Sequence, residues 1–225
     1  MRNAMRRPVQ ATTRRSLLAV LFLSFSLSAW SQVNDKGVVH LAIGLAAGGH
    51  ATEYEQTVTF LGIPINTTTN DGAATWTVPL EVSYGLARVF SLGIYAEPGA
   101  YLDSSATESN AIIMLGIQPR FYLINQDRFA WMASLRLGAT NLTIDRSEPG
   151  LETSARYRGS HFGLSTGVAF QFSDLLGLHL HLQYLTNRMP LKEYELNGSS
   201  IDLANIEAEL RTQGVTLQAS VAFRF

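Results

Sequence analysis

From Val215 to the last residue, Val215, Leu217, Ala219, Val221, Phe223 and Phe225 alternate with Thr216, Gln218, Ser220, Ala222 and Arg224. A period of two predicts a strand with one apolar face. Seven earlier segments repeat the pattern. Val39, Leu41, Ile43 and Leu45 oppose His40, Ala42, Gly44 and Ala46, and Trp76, Val78, Leu80, Val82 and Tyr84 oppose Thr77, Pro79, Glu81 and Ser83. Phe90, Leu92, Ile94 and Ala96 oppose Ser91, Gly93, Tyr95 and Glu97, while Ile113, Leu115, Ile117, Phe121 and Leu123 oppose Gly116, Gln118, Arg120 and Tyr122. Three further segments, starting at Phe129, Phe162 and Leu176, set Met132, Ser134, Arg136 and Gly138, then Gly163, Ser165, Gly167 and Gln171, then Gly177, His179, His181 and Gln183 on the polar side. Each segment has roughly the 9–11 residues that a tilted strand needs to cross the hydrocarbon of a bilayer.

The connections alternate in length. Ala87-Arg88, Asn125-Gln126-Asp127 and Ser173-Asp174 are tight turns, whereas residues 49–74, 103–110, 141–160 and 187–213 are longer and polar. Short turns on one side and long loops on the other are the habit of membrane barrels. A soluble barrel also alternates, but its apolar face points inward and its polar face meets water. Here the polar face is rich in glycine (Gly44, Gly93, Gly116, Gly138, Gly163, Gly167, Gly177), which suits a crowded, narrow lumen. Phe90, Phe129, Trp131, Phe172, Phe223 and Phe225 fall near the short turns, and Trp76, Phe162 and Tyr184 nearer the long loops, as two interfacial girdles would. The predicted fold is all-β: an eight-stranded antiparallel up-and-down transmembrane β-barrel.

Composition adds an export route. Arg2, Arg6, Arg7, Arg14 and Arg15 precede the apolar run Leu17–Leu27, which is too short to span a bilayer as a helix, and Ala29-Trp30-Ser31 offers the small residues of a cleavage site. The expected organisation is a secretory signal peptide over residues 1–31 and a barrel domain over 32–225. Without the five signal arginines, 12 basic residues face 18 acidic ones, a formal charge near −6. Nucleic acid is therefore not an expected partner. The chain has no cysteine, which fits an exported protein that does without disulfides.

The terminal Phe225, with Val221 and Phe223 on the same face, resembles the signal read by the outer-membrane assembly machinery. Residues 32–225 resemble small eight-stranded outer-membrane barrels of the OmpA/OmpX type. The runs Pro79-Leu80-Glu81-Val82-Ser83-Tyr84-Gly85 and Gly116-Ile117-Gln118-Pro119-Arg120-Phe121-Tyr122 are similar to the "outer membrane protein beta-barrel domain" group of Bacteroidota. The resemblance implies a multi-pass protein of the cell outer membrane, surrounded by outer-membrane lipids and lipopolysaccharide and inserted by the assembly machinery. It specifies architecture and not activity.

The candidate chemistry lies mainly on the polar face. Glu81, Glu97, Arg120 and Arg136 are placed so that acids of the second and third segments meet bases of the fourth and fifth. Registering the strands through their turns sets Glu81 beside Tyr95 and Glu97, and Glu97 beside Gly116 and Gln118. Two carboxylates could act as an acid–base pair, but adjacent arginines lower carboxyl pKa values, the wrong direction for a general acid at neutral pH. A lumenal ion-pair network is the expected reading. His179 and His181 share a strand face, with His40 two strands away and Arg224 between. That positive charge opposes a bound cation, so satisfied lumenal histidines are expected and no metal or other cofactor.

Ser165 and His161 are too far apart on their strand for a nucleophile–base pair. Phe60-Leu61-Gly62-Ile63-Pro64-Ile65 is an apolar stretch in the first long loop, readable as an adhesive tip, a cover over the barrel mouth or an extension of the strands. Ser200–Gln213 could form a short helix or start the last strand early. The expected function is non-enzymatic: a filled barrel with a structural role in the envelope, or one that engages an extracellular or envelope protein through its long loops. Passage of a small or lipophilic solute is the alternative, and lipid modification a third.

Overall fold

The computed structural model describes residues 32–104, 109–204 and 206–225, with backbone only at Glu148. The expected signal segment lies outside the described residues. Ten strands follow in order: β1 (Val39–Phe60), β2 (Ile63–Thr77), β3 (Leu80–Ala87), β4 (Phe90–Asp103), β5 (Asn110–Asn125), β6 (Phe129–Glu148), β7 (Leu151–Gln171), β8 (Leu176–Leu196), β9 (Ser199–Ser200) and β10 (Ile206–Arg224). β2 and β3 are one barrel strand interrupted at Val78-Pro79, where Pro79 has no N–H to give the ladder. Both halves pair with β1 on one side and β4 on the other. From β4 to β8 each strand pairs antiparallel with the next in the chain, and β10 pairs with both β8 and β1. The result is a closed up-and-down barrel of eight strands, as the sequence predicts. Closure reaches the final residue, because Val39 and Phe225 exchange both backbone hydrogen bonds at 2.9 Å.

The face assignment also holds. Leu45, Ile94, Leu182, Leu217 and their partners stay exposed around the wall, while Gln183, Gln218, Arg120 and Arg136 are buried inside it. Such an apolar-out, polar-in arrangement is stable only if the outside is not water. Among the described residues no helix is long and apolar enough to cross a membrane, so crossing falls to the strands.

Three of the four expected long loops are instead strands that continue. β1, β6, β7, β8 and β10 run 19–22 residues, about twice what the hydrocarbon requires. β1 and β2 turn at Leu61-Gly62, and β8 and β9 at Asn197-Gly198; both turns carry two successive positive φ angles, which match the right-handed twist of a two-residue hairpin. The β2 extension is threonine-rich, with Thr67, Thr68 and Thr69 in succession. β-Branching favours strands while both faces meet solvent, so no period of two betrays it. Phe60–Ile65 forms the exposed β1–β2 hairpin tip, which selects strand extension over a lid on the mouth. The short helix considered within Ser200–Gln213 is absent among the described residues. β10 begins at Ile206 and pairs with β1 from Val58 onward, because pairing supplies backbone partners that an isolated helix on a loop would lack.

At the short-turn end the residues before β1 fold under the barrel. Val33 is fully buried against Tyr122, Ala130, Met132 and Ala169. Its N–H donates to the Gln126 carbonyl at 3.0 Å, and Asn34 Nδ2 donates to the carbonyls of Ala87 and Arg88. Asn125 completes the clasp, accepting from the Asn34 N–H and donating to the Asn34 carbonyl. Gly85 leaves the passage open: a Cβ there would lie 2.8 Å from Asn34 Oδ1 and nearer still to the Asp35 carbonyl.

A barrel closed by backbone hydrogen bonds resists detergent until heated. The folded protein in detergent should migrate faster on a gel when unheated than after boiling; one unshifted band under both conditions would count against the barrel.

Candidate functional site

The four charged residues singled out from the sequence meet in the middle of the lumen as two ion pairs. Arg120 Nη2 lies 2.8 Å from Glu81 Oε2, and Arg136 Nη2 lies 2.5 Å from Glu97 Oε2, with all four side chains almost fully buried. Glu81 stands opposite Tyr95 as predicted. Glu97 stands opposite Met114, not Gly116 or Gln118. β4 and β5 are joined by the long connection, which carries no register signal of the kind a tight turn gives.

Amides and hydroxyls join the pairs into a belt. Thr77 donates to Glu97 Oε1 at 2.6 Å, Arg136 Nη1 donates to Gln183 Oε1 at 2.6 Å, and Gln183 donates to Gln218. Gln218 then donates to Glu81 Oε1 at 3.1 Å and to Ser220 at 2.8 Å. The chain of bonds crosses the whole lumen, from β2 and β4 through β6, β8 and β10 to β3 and β5. Ser134, accepting from Gln118 and bonded to Ser165, fills the remaining side. The Arg136 guanidinium also lies over the Tyr95 ring, 3.9 Å from its centroid. That ring has room because Gly116 and Gly138 face each other behind it; a Cβ on Gly116 would lie 2.7 Å from the Tyr95 hydroxyl.

Toward the hairpins the next layer is again polar. Tyr95 bonds His161, His161 Nδ1 meets Thr140 at 3.0 Å, Thr140 donates to Asn187, Asn187 donates to Thr212, and His50 meets Thr75 at 2.8 Å. His161 is thereby bonded to Tyr95 and Thr140 while Ser165 is bonded to Ser134, so the structure does not bring that nucleophile and base together. Toward the short turns, His40, His179 and His181 pack with ring centroids 6.0 and 6.1 Å apart. The expectation of satisfied histidines is not met for His179 and His181. Their ring nitrogens are buried with no protein hydrogen-bond partner. Among the described residues no three potential metal ligands converge.

Beyond the polar layers, a group that the sequence pattern did not single out closes the lumen. Tyr101, Ile112, Leu142, Tyr157, Met189 and Leu210 form a buried apolar floor. Above it the extended strands enclose a cup of about 550 Å³ into which Tyr54, Tyr101, Tyr157 and Tyr194 face. Three of the four tyrosines simply continue the inward parity of their strands. Tyr194 arrives by a different device: opposite the step from Tyr157 to Arg156, β8 passes from Leu191 to Glu193, and the extra residue switches which side chains face inward. Burial raises the Tyr54, Tyr101 and Tyr157 phenols above their ordinary range. At the lip, Arg146 lies 3.6 Å from Asp103, while Asp71 accepts hydrogen bonds from the Ser104 hydroxyl and the Gly72 N–H, which lower its carboxyl below the ordinary value.

No family model matches the chain, and no curated protein matches it. Solved structures do. The outer membrane protein OprG from Pseudomonas aeruginosa superposes with a TM-score of 0.58 at 10% identity, over 85% of this chain and 97% of that one. The outer membrane protein AlkL, determined by solid-state NMR in DMPC bilayers, gives 0.54 at 8% identity, over 89% and 95%. At such identities the likeness is one of fold: this chain has the architecture of small outer-membrane β-barrels.

The buried pairs have a signature in stability. Arg136→Met leaves the Glu97 carboxylate uncompensated and should cost about 3–5 kcal/mol, whereas the double change Glu97→Leu with Arg136→Met should recover most of that loss. Urea unfolding in lipid vesicles measures both; equal destabilisation by the single and double variants would contradict the pairing.

Proposed function

We propose that the chain is a non-enzymatic protein of the cell outer membrane whose lumen conducts nothing along its axis and whose working part is the wall that stands beyond the membrane. The observation that carries this reading is the filling of the barrel at successive heights. Val33 corks the short-turn end, the Glu81–Arg120 and Glu97–Arg136 belt spans the middle, and the floor around Leu142 and Met189 seals the hairpin end. An eight-stranded barrel is only wide enough to be filled by its own side chains, so each layer suffices to stop a hydrated solute. The separation of Ser165 from His161 and the pairing of both lumenal carboxylates with arginine support a role without catalysis.

The outer-membrane assignment rests on the exposed apolar wall and on the fold shared with OprG and AlkL. In this reading the wall meets outer-membrane lipid and lipopolysaccharide. Val221, Phe223 and Phe225, exposed on the lipid side of the closing strand, serve as the assembly signal. The short turns face the periplasm, and the extended hairpins face outward, where a protein partner can reach them. The sequence likeness to the Bacteroidota barrel group belongs to the same proposal.

Planar bilayer recordings test the reading. The wild-type barrel should give no reproducible current steps. Steps that appear with the wild type and vanish or change size on replacement of Arg136 would overturn the closed-lumen reading in favour of solute passage. Lipid A mass spectra from cells with and without the gene should coincide; a gene-dependent mass change would overturn the non-enzymatic assignment.

A further inference from the structure

The cup beyond the apolar floor has the properties of a binding site, and it goes beyond a closed barrel: a barrel needs no blind, ring-lined chamber to be stable. Its volume of about 550 Å³ is that of a small-molecule pocket. Its walls are strands of the barrel except at Leu203, which belongs to the β9–β10 connection, so most of the chamber is preformed by the ladder. Its floor is sealed by Leu142, which is fully buried, and by Leu210. Tyrosines from four different strands turn into it, one of them through a bulge. Tyrosine combines a broad apolar face with a negative quadrupole, so four of them favour a ring-bearing ligand and tolerate a cation over their faces.

Charge narrows the class. The acidic and basic groups lining the cup are Asp71, Asp103 and Arg146. Arg146 faces Asp103, and the Asp103 and Asp71 carboxyl groups are themselves in contact, so the lip sets two acids against one base and carries an excess negative charge. Hydrogen bonds from Ser104 and Gly72 hold the Asp71 carboxylate in place. An anion entering the cup would meet this charge without an unengaged base to offset it; a cation would meet a carboxylate and aromatic faces together. We propose that the cup binds small amphipathic molecules that carry an aromatic or other flat ring and a cationic amine, with the ring against the tyrosines above the floor and the amine at Asp71.

The proposal rests on the sealed floor of the closed-lumen reading, and its test reads binding alone. 1-Naphthylmethylamine and 1-naphthylacetate share a ring and carry opposite charges at neutral pH. Each is titrated by fluorescence anisotropy against the full barrel in lipid nanodiscs, with protein-free nanodiscs as reference. The amine should bind saturably, one per barrel, and about tenfold more tightly than the carboxylate, a ratio within the range of a cation–π contact combined with one carboxylate. Asp71→Asn should lower the ratio severalfold, leaving only the preference that the tyrosine faces supply. Ala155→Trp, which fills the chamber from β7, should abolish saturable binding while the heat-dependent gel shift is kept; Thr153→Trp, nearer the lip, provides the same test should the first variant lose that shift. Amine uptake no greater than in protein-free nanodiscs, saturable binding that survives the filled cup, or tighter binding of the carboxylate would each overturn the proposal. Current steps in bilayers would overturn the closed lumen, whereas binding in the cup is decided by these titrations alone.

Discussion

The interior of this barrel is organised around Arg136. A ring of eight strands leaves a lumen too narrow for bulk water, so any charge pointing inward must find its partner across the barrel. Arg136 finds three: the Glu97 carboxylate, the Gln183 amide and the face of Tyr95. Through Gln183 and Gln218 its bonds continue to Glu81 and so to Arg120, the second pair. The two pairs are therefore one network, and the polar choice at each of these positions is set by the others. The glycines behind Tyr95 belong to the same constraint, since a Cβ on Gly116 would press on the Tyr95 hydroxyl and one on Gly138 on the His161 ring bonded to it.

Why a polar belt should occupy a place that leucines could fill follows from the membrane on the other side of the wall. A strand apolar on both faces would have no preferred register, because a one-residue slip would place equally acceptable groups outside. With Glu81, Glu97, Arg120 and Arg136 at inward positions, such a slip would set a charge against lipid, where an arginine costs about 2–4 kcal/mol at the midplane and a carboxylate less. The belt thus fixes register as well as filling space. Below and above it the demand relaxes, and the lumen ends in apolar packing around Val33 at one end and around Leu142 at the other.

The spanning strands were legible in the sequence because lipid outside and a polar lumen inside impose opposite chemistry on adjacent residues. From Val215 to Phe225 or from Phe90 to Glu97 that contrast is nearly unbroken. The ion pairs were legible in kind for the same reason, but the register of Glu97 was not, because a tight turn fixes pairing and the β4–β5 connection does not. The extensions were illegible because both faces of Thr67–Thr69 are wet and the contrast disappears. Val33 was hidden differently. A single apolar residue before the first strand carries no periodic signal, and its burial depends on Asn34 and Asn125, which are 91 residues apart in the chain. Tyr54, Tyr101 and Tyr157 could have been found by continuing the inward parity of His50, Glu97 and His161 past the membrane. Tyr194 could not, since the bulge that turns it inward leaves no mark on composition.

The same continuation of parity explains why a closed barrel should end in an open chamber. Within the membrane an inward side chain must fill space and satisfy hydrogen bonds across a fixed diameter. Beyond it, the wall is still held by hydrogen bonds between β1, β2, β6, β7, β8 and β10, while water can enter from the free end and the interior no longer has to be filled. Side chains there are released from the packing constraint without losing the rigid backbone that positions them. A binding surface placed at this height inherits the stability of the barrel, and since Leu203 alone of its lining lies on a connection, little of it must be ordered on ligand arrival, which lowers the entropic cost of recognition. The sealed floor and the open cup are thus two consequences of one set of strands, divided by the point at which lipid gives way to water.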